Sequence, residues 1–146
     1  MIITKNKGIA TLPTVIVLGM MILAIVVSMT AMTLSGLMIS QGQSQSSNAL
    51  FYAEAGARDA LVKIARDKTY TCVTTDCYSL DFVTNGCSLG TDCAKISVTG
   101  NNITKIITSK GIMKTSTRTM QVTVNLDGAT NDYGLILSTS WIEITT

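Results

Sequence analysis

Four cysteines, Cys72, Cys77, Cys87 and Cys93, are the residues best equipped for chemistry, and the chain has no others. An even, closely spaced set in a small domain points to two disulfides and an oxidising compartment. Local loop closure favours Cys72–Cys77 with Cys87–Cys93; the crossed and nested pairings stay open, as do buried free thiols. Zinc is the competing chemistry. A C-x4-C followed by a C-x5-C is looser than the usual zinc knuckle, and there is no histidine to complete a ligand set. Asp76, Asp81 and Asp92 lie among these cysteines and could hold a cation weakly, but solvation of an exposed loop accounts for them better. No metal and no cofactor is expected.

Catalysis finds little support. The absence of histidine removes the commonest general base. No P-loop, dinucleotide fingerprint or metalloprotease motif occurs. Glu54, the one acid in its stretch, has Arg58 four residues on, the favourable order for a helical ion pair, and Asp59 has Lys63 in the same relation. The chain is therefore not expected to be an enzyme.

Composition bounds the remaining classes. With 146 residues, 14% of them charged, there is room for one compact domain plus another element. The net charge of +2 is spread among interspersed acids and bases, so no nucleic-acid partner is indicated. Apolar residues concentrate between Ile9 and Ile39, and the sequence beyond is rich in Thr, Ser, Asn and Gly.

The N-terminus has the form of a membrane segment behind a basic leader. Lys5 and Lys7 have no acid nearby, which predicts a cytoplasmic N-terminus and an outward-facing C-terminal domain. The run Leu12–Val27 carries no charge, and apolar-rich sequence continues to Ile39, more than the twenty or so residues that span a bilayer. A cleaved secretory signal has a much shorter apolar core. A simple signal anchor is the other alternative. Helical periodicity does not stop at the membrane: Leu50, Ala53, Ala57, Leu61 and Ile64 repeat at i, i+3/i+4 spacing. With Pro13 the sole proline, the pattern predicts one helix from Pro13 to about Asp67, roughly 80 Å long at 1.5 Å per residue.

A short basic leader ending in Gly8, an apolar helix directly after it, and an Ala53-Glu54-Ala55-Gly56 stretch further along resemble the type IV pilins and the pseudopilins of type II secretion, the minor pilins in particular. The resemblance covers residues 1–67. It implies that a prepilin peptidase cuts between Gly8 and Ile9 and methylates Ile9. It also implies other pilin subunits and the inner-membrane assembly machinery as partners. The expected location is the inner membrane before assembly and the pilus or cell surface afterwards. The chain departs from the family at the fifth mature position, where Pro13 replaces the usual Glu. In the family that carboxylate pairs with the N-terminal amine of a neighbouring subunit; the member at the tip of the secretion pseudopilus also lacks it. Pro13 thus directs the resemblance toward a minor or tip subunit. Locally, Pro13 reads as a first-position helix residue, where a missing N–H costs nothing.

The expected fold is α+β: a long N-terminal helix, transmembrane and then amphipathic, on a small antiparallel sheet. The expected segments are a leader at 1–8, the transmembrane and assembly half of the helix at 9–40, its amphipathic half at 41–68, and a Cys-stapled loop with the sheet at 69–146. Gly19, Gly36 and Gly42 are tolerated helix residues or places of close approach or loosening. Within 69–93, Asp76, Asn85-Gly86 and Gly90 supply turns. Ile96 and Val98 alternate with polar neighbours, Ile103–Lys110 forms a second strand, and Gly111–Ser116 turns the chain. Met120, Val122, Val124 and Leu126 share one face of the clearest strand. Tyr133–Ile144 adds a last strand carrying Trp141. Two functions follow as expectations: a structural subunit of a type IV pilus or secretion pseudopilus, or a membrane-tethered surface binding module that does not polymerise.

Overall fold

The computed structural model describes residues 11–128 and 132–144. The protein is α+β, a long N-terminal helix with a five-stranded antiparallel sheet. Two compact units divide the chain, Met1–Gln41 and Gly42–Thr146, and the helix α1 (Thr11–Arg66) contributes to both.

In the first unit the described large apolar side chains from Val15 to Ile39 are each half or more exposed. In the second unit α1 turns one face to the sheet, and Ala49, Ala53, Ala57, Ala60 and Ile64 are fully buried. The buried stripe is centred one residue away from the predicted one. Ala53, Ala57 and Ile64 belong to it, but Leu50 and Leu61 are only half-buried, with Leu61 packed at the core's edge. Alanine holds the centre because a small side chain lets the helix axis approach the strands.

The sheet has strands β1 (Tyr78–Asp81), β2 (Cys93–Gly100), β3 (Thr104–Met113), β4 (Ser116–Leu126) and β5 (Ile136–Ile144) in sequence order, each antiparallel to the next. One short helical turn, α2 (Gly86–Leu89), lies between β1 and β2. The core forms between the helix stripe and Ala94, Ile96, Val98, Ile107, Val122, Val124 and Leu126. Strand alternation explains this set: residues two apart along each strand point the same way.

Two elements differ from expectation. Residues 69–93 hold a strand, β1, rather than loop alone; at four residues it is too short for alternation to announce it. The predicted turn at Gly111–Ser116 is only Lys114-Thr115, with Lys114 at φ 52°. Gly111 lies within β3, where a Cβ would fall 2.0 Å from the Ala49 carbonyl oxygen and 2.5 Å from the Ala53 nitrogen. This glycine marks close approach of two backbones, not a turn. The predicted turn residues Asp76 and Asn85 do adopt positive φ, 57° and 60°.

The helix ends in defined partners. The N–H of Lys68 donates to the Asp132 carbonyl at 2.9 Å, and that of Gly134 to the Ala65 carbonyl at 3.2 Å. The second bond satisfies an otherwise orphan helix-end carbonyl. Lys63 and Arg66 in the last turn complement the negative end of the helix dipole. Two buried lysines complete the closure. Lys105 Nζ donates to the Tyr70 carbonyl at 2.9 Å, and Lys68 Nζ donates to the Asp127 backbone carbonyl, with the Asp127 carboxylate at 3.4 Å. Burial holds the Lys105 ammonium below its ordinary pKa, partly offset by the charge of Asp67.

Candidate membrane anchor and assembly surface

The first unit supplies a helical segment long and apolar enough to cross a membrane. No charged residue occurs between Lys7 and Glu54. Four of its hydroxyls bond back within the helix. Ser28 donates to the Ala24 carbonyl at 2.8 Å, Thr30 to Val26 at 2.8 Å, Thr33 to Met29 at 3.0 Å and Ser35 to Met32 at 2.9 Å. Back-bonding of this kind lets Ser and Thr enter hydrocarbon without an unpaired polar group.

Gly8 and Ile9, the expected cleavage and methylation positions, lie outside the described residues. Pro13 is helical and exposed, and the start of the helix, on which its expected first position depends, lies at the edge of the described residues. At Gly19, Gly36 and Gly42 an added Cβ would meet nothing within 4 Å, so the chain's own fold does not require these glycines. Gly56 differs. A Cβ there would lie 2.5 Å from Ser109 Oγ, 2.9 Å from Ala94 Cβ and 3.0 Å from Ile96 Cγ1. The Ala53-Glu54-Ala55-Gly56 stretch is thus a place where helix and sheet approach closely, while Glu54 pairs with Arg58 at 2.6 Å. Asp59 and Lys63 pair at 3.1 Å.

The cysteines pair as Cys72–Cys77 and Cys87–Cys93. Cys72 also exchanges two backbone hydrogen bonds with Val98, at 2.8 and 2.9 Å, which fastens the first loop to β2. The three loop acids do not converge. Asp76 pairs with Lys95 at 3.3 Å; Asp81 accepts the Cys87 N–H at 2.8 Å; Asp92 accepts the Tyr52 hydroxyl at 3.2 Å and the Thr91 hydroxyl at 2.8 Å. Among the described residues the one grouping of metal-type donors is Asp81, Cys87 and Cys93. Two of its three members are joined as a disulfide, and a disulfide sulfur has no thiolate to offer a metal.

Tyr52 on α1 stacks on Phe82 with ring centroids 4.2 Å apart and an interplanar angle of 12°, and so fastens the second loop to the helix. Burial and the adjacent Asp92 push the Tyr52 phenol above its ordinary pKa. These loop-to-helix ties escaped sequence reasoning, because an isolated Tyr and Phe thirty positions apart carry no periodic signal. The outer face of the sheet, with Lys95 opposite Lys110, was missed for want of the strand register.

Comparison with protein-family models, with curated proteins and with solved structures found no match. The class is therefore defined by the fold alone: a helix with a segment long and apolar enough to cross a membrane, whose C-terminal part is built into a small disulfide-bearing α+β domain.

Proposed function

We propose that this chain is a structural subunit, minor or tip in position, of a type IV pilus or related secretion pseudopilus. The observation that carries the reading is the unbroken helix Thr11–Arg66, charge-free and exposed in its first part and bearing a buried alanine stripe in its second. A soluble domain gains nothing from exposing aliphatic side chains worth about 1.5–3 kcal/mol each when buried. Lipid before assembly, and neighbouring helices after it, would cover them. Gly19, Gly36 and Gly42 would then permit close approach between subunits. Cleavage between Gly8 and Ile9 releases the helix for assembly, and Pro13, in place of a carboxylate, removes the charge that sets register in self-polymerisation.

The test is the N-terminal mass of the natural protein. A chain beginning at methylated Ile9 supports the reading, as does loss of assembly with a retained leader in Gly8→Ala. A functional protein that keeps residues 1–8 would instead identify a tethered surface module.

A further inference from the structure

We propose that the outer face of the sheet, the one turned away from α1, is a binding site for an oxyanion group, a carboxylate or phosphate, held between Lys95 and Lys110. The two lysines are direct Cα partners on β2 and β3. Directly opposed side chains stand about 5 Å apart at Cβ, and like charges so placed are destabilising. One acid offsets them: Asp76, 3.3 Å from Lys95 Nζ. Among the described residues Lys110 has no ion-pair partner. The row continues from Lys110 to Thr119 on β4 and Ile144 on β5 without a further acid. The face therefore keeps an uncompensated positive charge in a fixed place.

That charge sits in a concavity of about 260 Å³ whose lining includes Thr75, Ser97 and Thr108 and also Asp76. The volume suits a single phosphate or a monosaccharide acid and is too small for a folded partner. Hydroxyls donate to oxyanion oxygens and also accept from a ligand's own hydroxyls. Two ammonium groups on a rigid antiparallel pair supply charge-assisted hydrogen bonds without ordering a loop. A bound anion removes the Lys95–Lys110 repulsion, so binding and local stability rise together. The residues of the site all belong to the second unit, and the site does not depend on whether the chain polymerises.

The test uses the full chain in detergent micelles, titrated at constant ionic strength with inorganic phosphate, glucuronate and, as a neutral control, glucose. The readouts are amide shifts of residues 95, 97, 108 and 110 and the thermal midpoint. Saturable shifts with phosphate, glucuronate or both support the site; phosphate alone assigns a free oxyanion and glucuronate alone an acidic saccharide. Lys110→Gln should weaken binding at least fivefold while leaving the ligand-free midpoint equal or higher, since it relieves like-charge repulsion. A merely structural lysine would lower that midpoint. Lys95→Gln, which leaves Asp76 unopposed in the site, should weaken binding more than Lys110→Gln. Unsaturable or absent shifts at tens of millimolar ligand, equal shifts with glucose, or wild-type affinity in Lys110→Gln would each overturn the proposal.

Discussion

Gly56 on α1 stands so close to Ser109 on β3 that a Cβ built on the glycine would lie 2.5 Å from the serine Oγ. Ser109 is itself fully buried, and its hydroxyl has no hydrogen-bond partner among the described residues. The hydroxyl therefore carries a desolvation cost that no hydrogen bond offsets. Gly56→Ala should destabilise the domain by about 1–3 kcal/mol through overpacking. Ser109→Ala should be neutral or stabilising, and the double variant should be less damaged than the sum of the singles. Chemical denaturation of the four proteins gives the coupling; strict additivity would show that the two residues do not meet.

Gly111 makes the harsher contact, because its neighbours are backbone. A Cβ would press on the Ala49 carbonyl and the Ala53 nitrogen, and backbone atoms cannot swing aside as a hydroxyl can. Gly111→Ala should cost more than Gly56→Ala, roughly 3 kcal/mol or above, as expected where strand and helix must separate. Equal thermal midpoints for the two variants would contradict this ordering.

Both contacts bear on what the sequence could convey. Its long periodic segments, α1 and the alternation from Met120 to Leu126, announced themselves because apolar spacing reports the face an element buries. The identity of the helix's central stripe did not, since Leu50 and Leu61 outrank alanines in hydropathy while close packing prefers Ala49 and Ala60. Gly111 reads as a turn in the sequence because glycine marks turns and close approaches alike. The outer-face lysines were visible as residues, but their opposition required the β2–β3 register, which a one-residue change in the Gly100–Ile103 turn would have reversed. Cysteine pairing by nearest neighbour was legible, because short loops close at least entropic cost.

Stability should fall at alkaline pH, and Tyr78 should be a main cause. Burial first, then the negative charge of Asp59, pushes the Tyr78 phenol well above its ordinary range. The folded chain thus holds this proton more tightly than the unfolded chain. Its contribution is complete below the unfolded-state value near 10 and is lost progressively as pH rises above it. Lys105, whose pKa is lowered, works in the opposite direction, so the informative quantity is the difference between wild type and Tyr78→Phe. Thermal midpoints from pH 8 upward should drop less steeply in Tyr78→Phe. Parallel curves would remove Tyr78 from the account.

The disulfides should contribute unequally under mechanical or chemical stress. Each closes a loop of five or six residues, worth about 2 kcal/mol by chain entropy. Cys72 also retains its paired backbone bonds to Val98, so Cys72→Ser/Cys77→Ser should keep the loop docked. In Cys87→Ser/Cys93→Ser the segment around α2 loses its covalent tie and keeps the Asp81 carboxylate, the Phe82 N–H bond to the Asp92 carbonyl, the Lys114 N–H bond to the Thr91 hydroxyl and the Tyr52–Phe82 stack. Hydrogen exchange should rise more across residues 82–92 in the second variant than across 70–77 in the first. Peptide mapping of the unreduced protein checks the pairing itself.

Pro13→Glu tests the proposed place of the chain in an assembly. One carboxylate in the bilayer costs roughly 2.5–3.5 kcal/mol on insertion scales, and a helix end lowers that by reaching the interface. The apolar run through Ile39 outweighs this, so resistance to alkaline extraction should be unchanged. If Pro13 is what prevents the chain from pairing with the terminal amine of another subunit, the Glu variant should form homopolymers that the wild type does not, detectable as crosslinked ladders. Abundant filaments from the wild type alone would exclude a minor or tip role. A Glu variant that inserts normally yet never polymerises would place the block to self-assembly elsewhere on the helix.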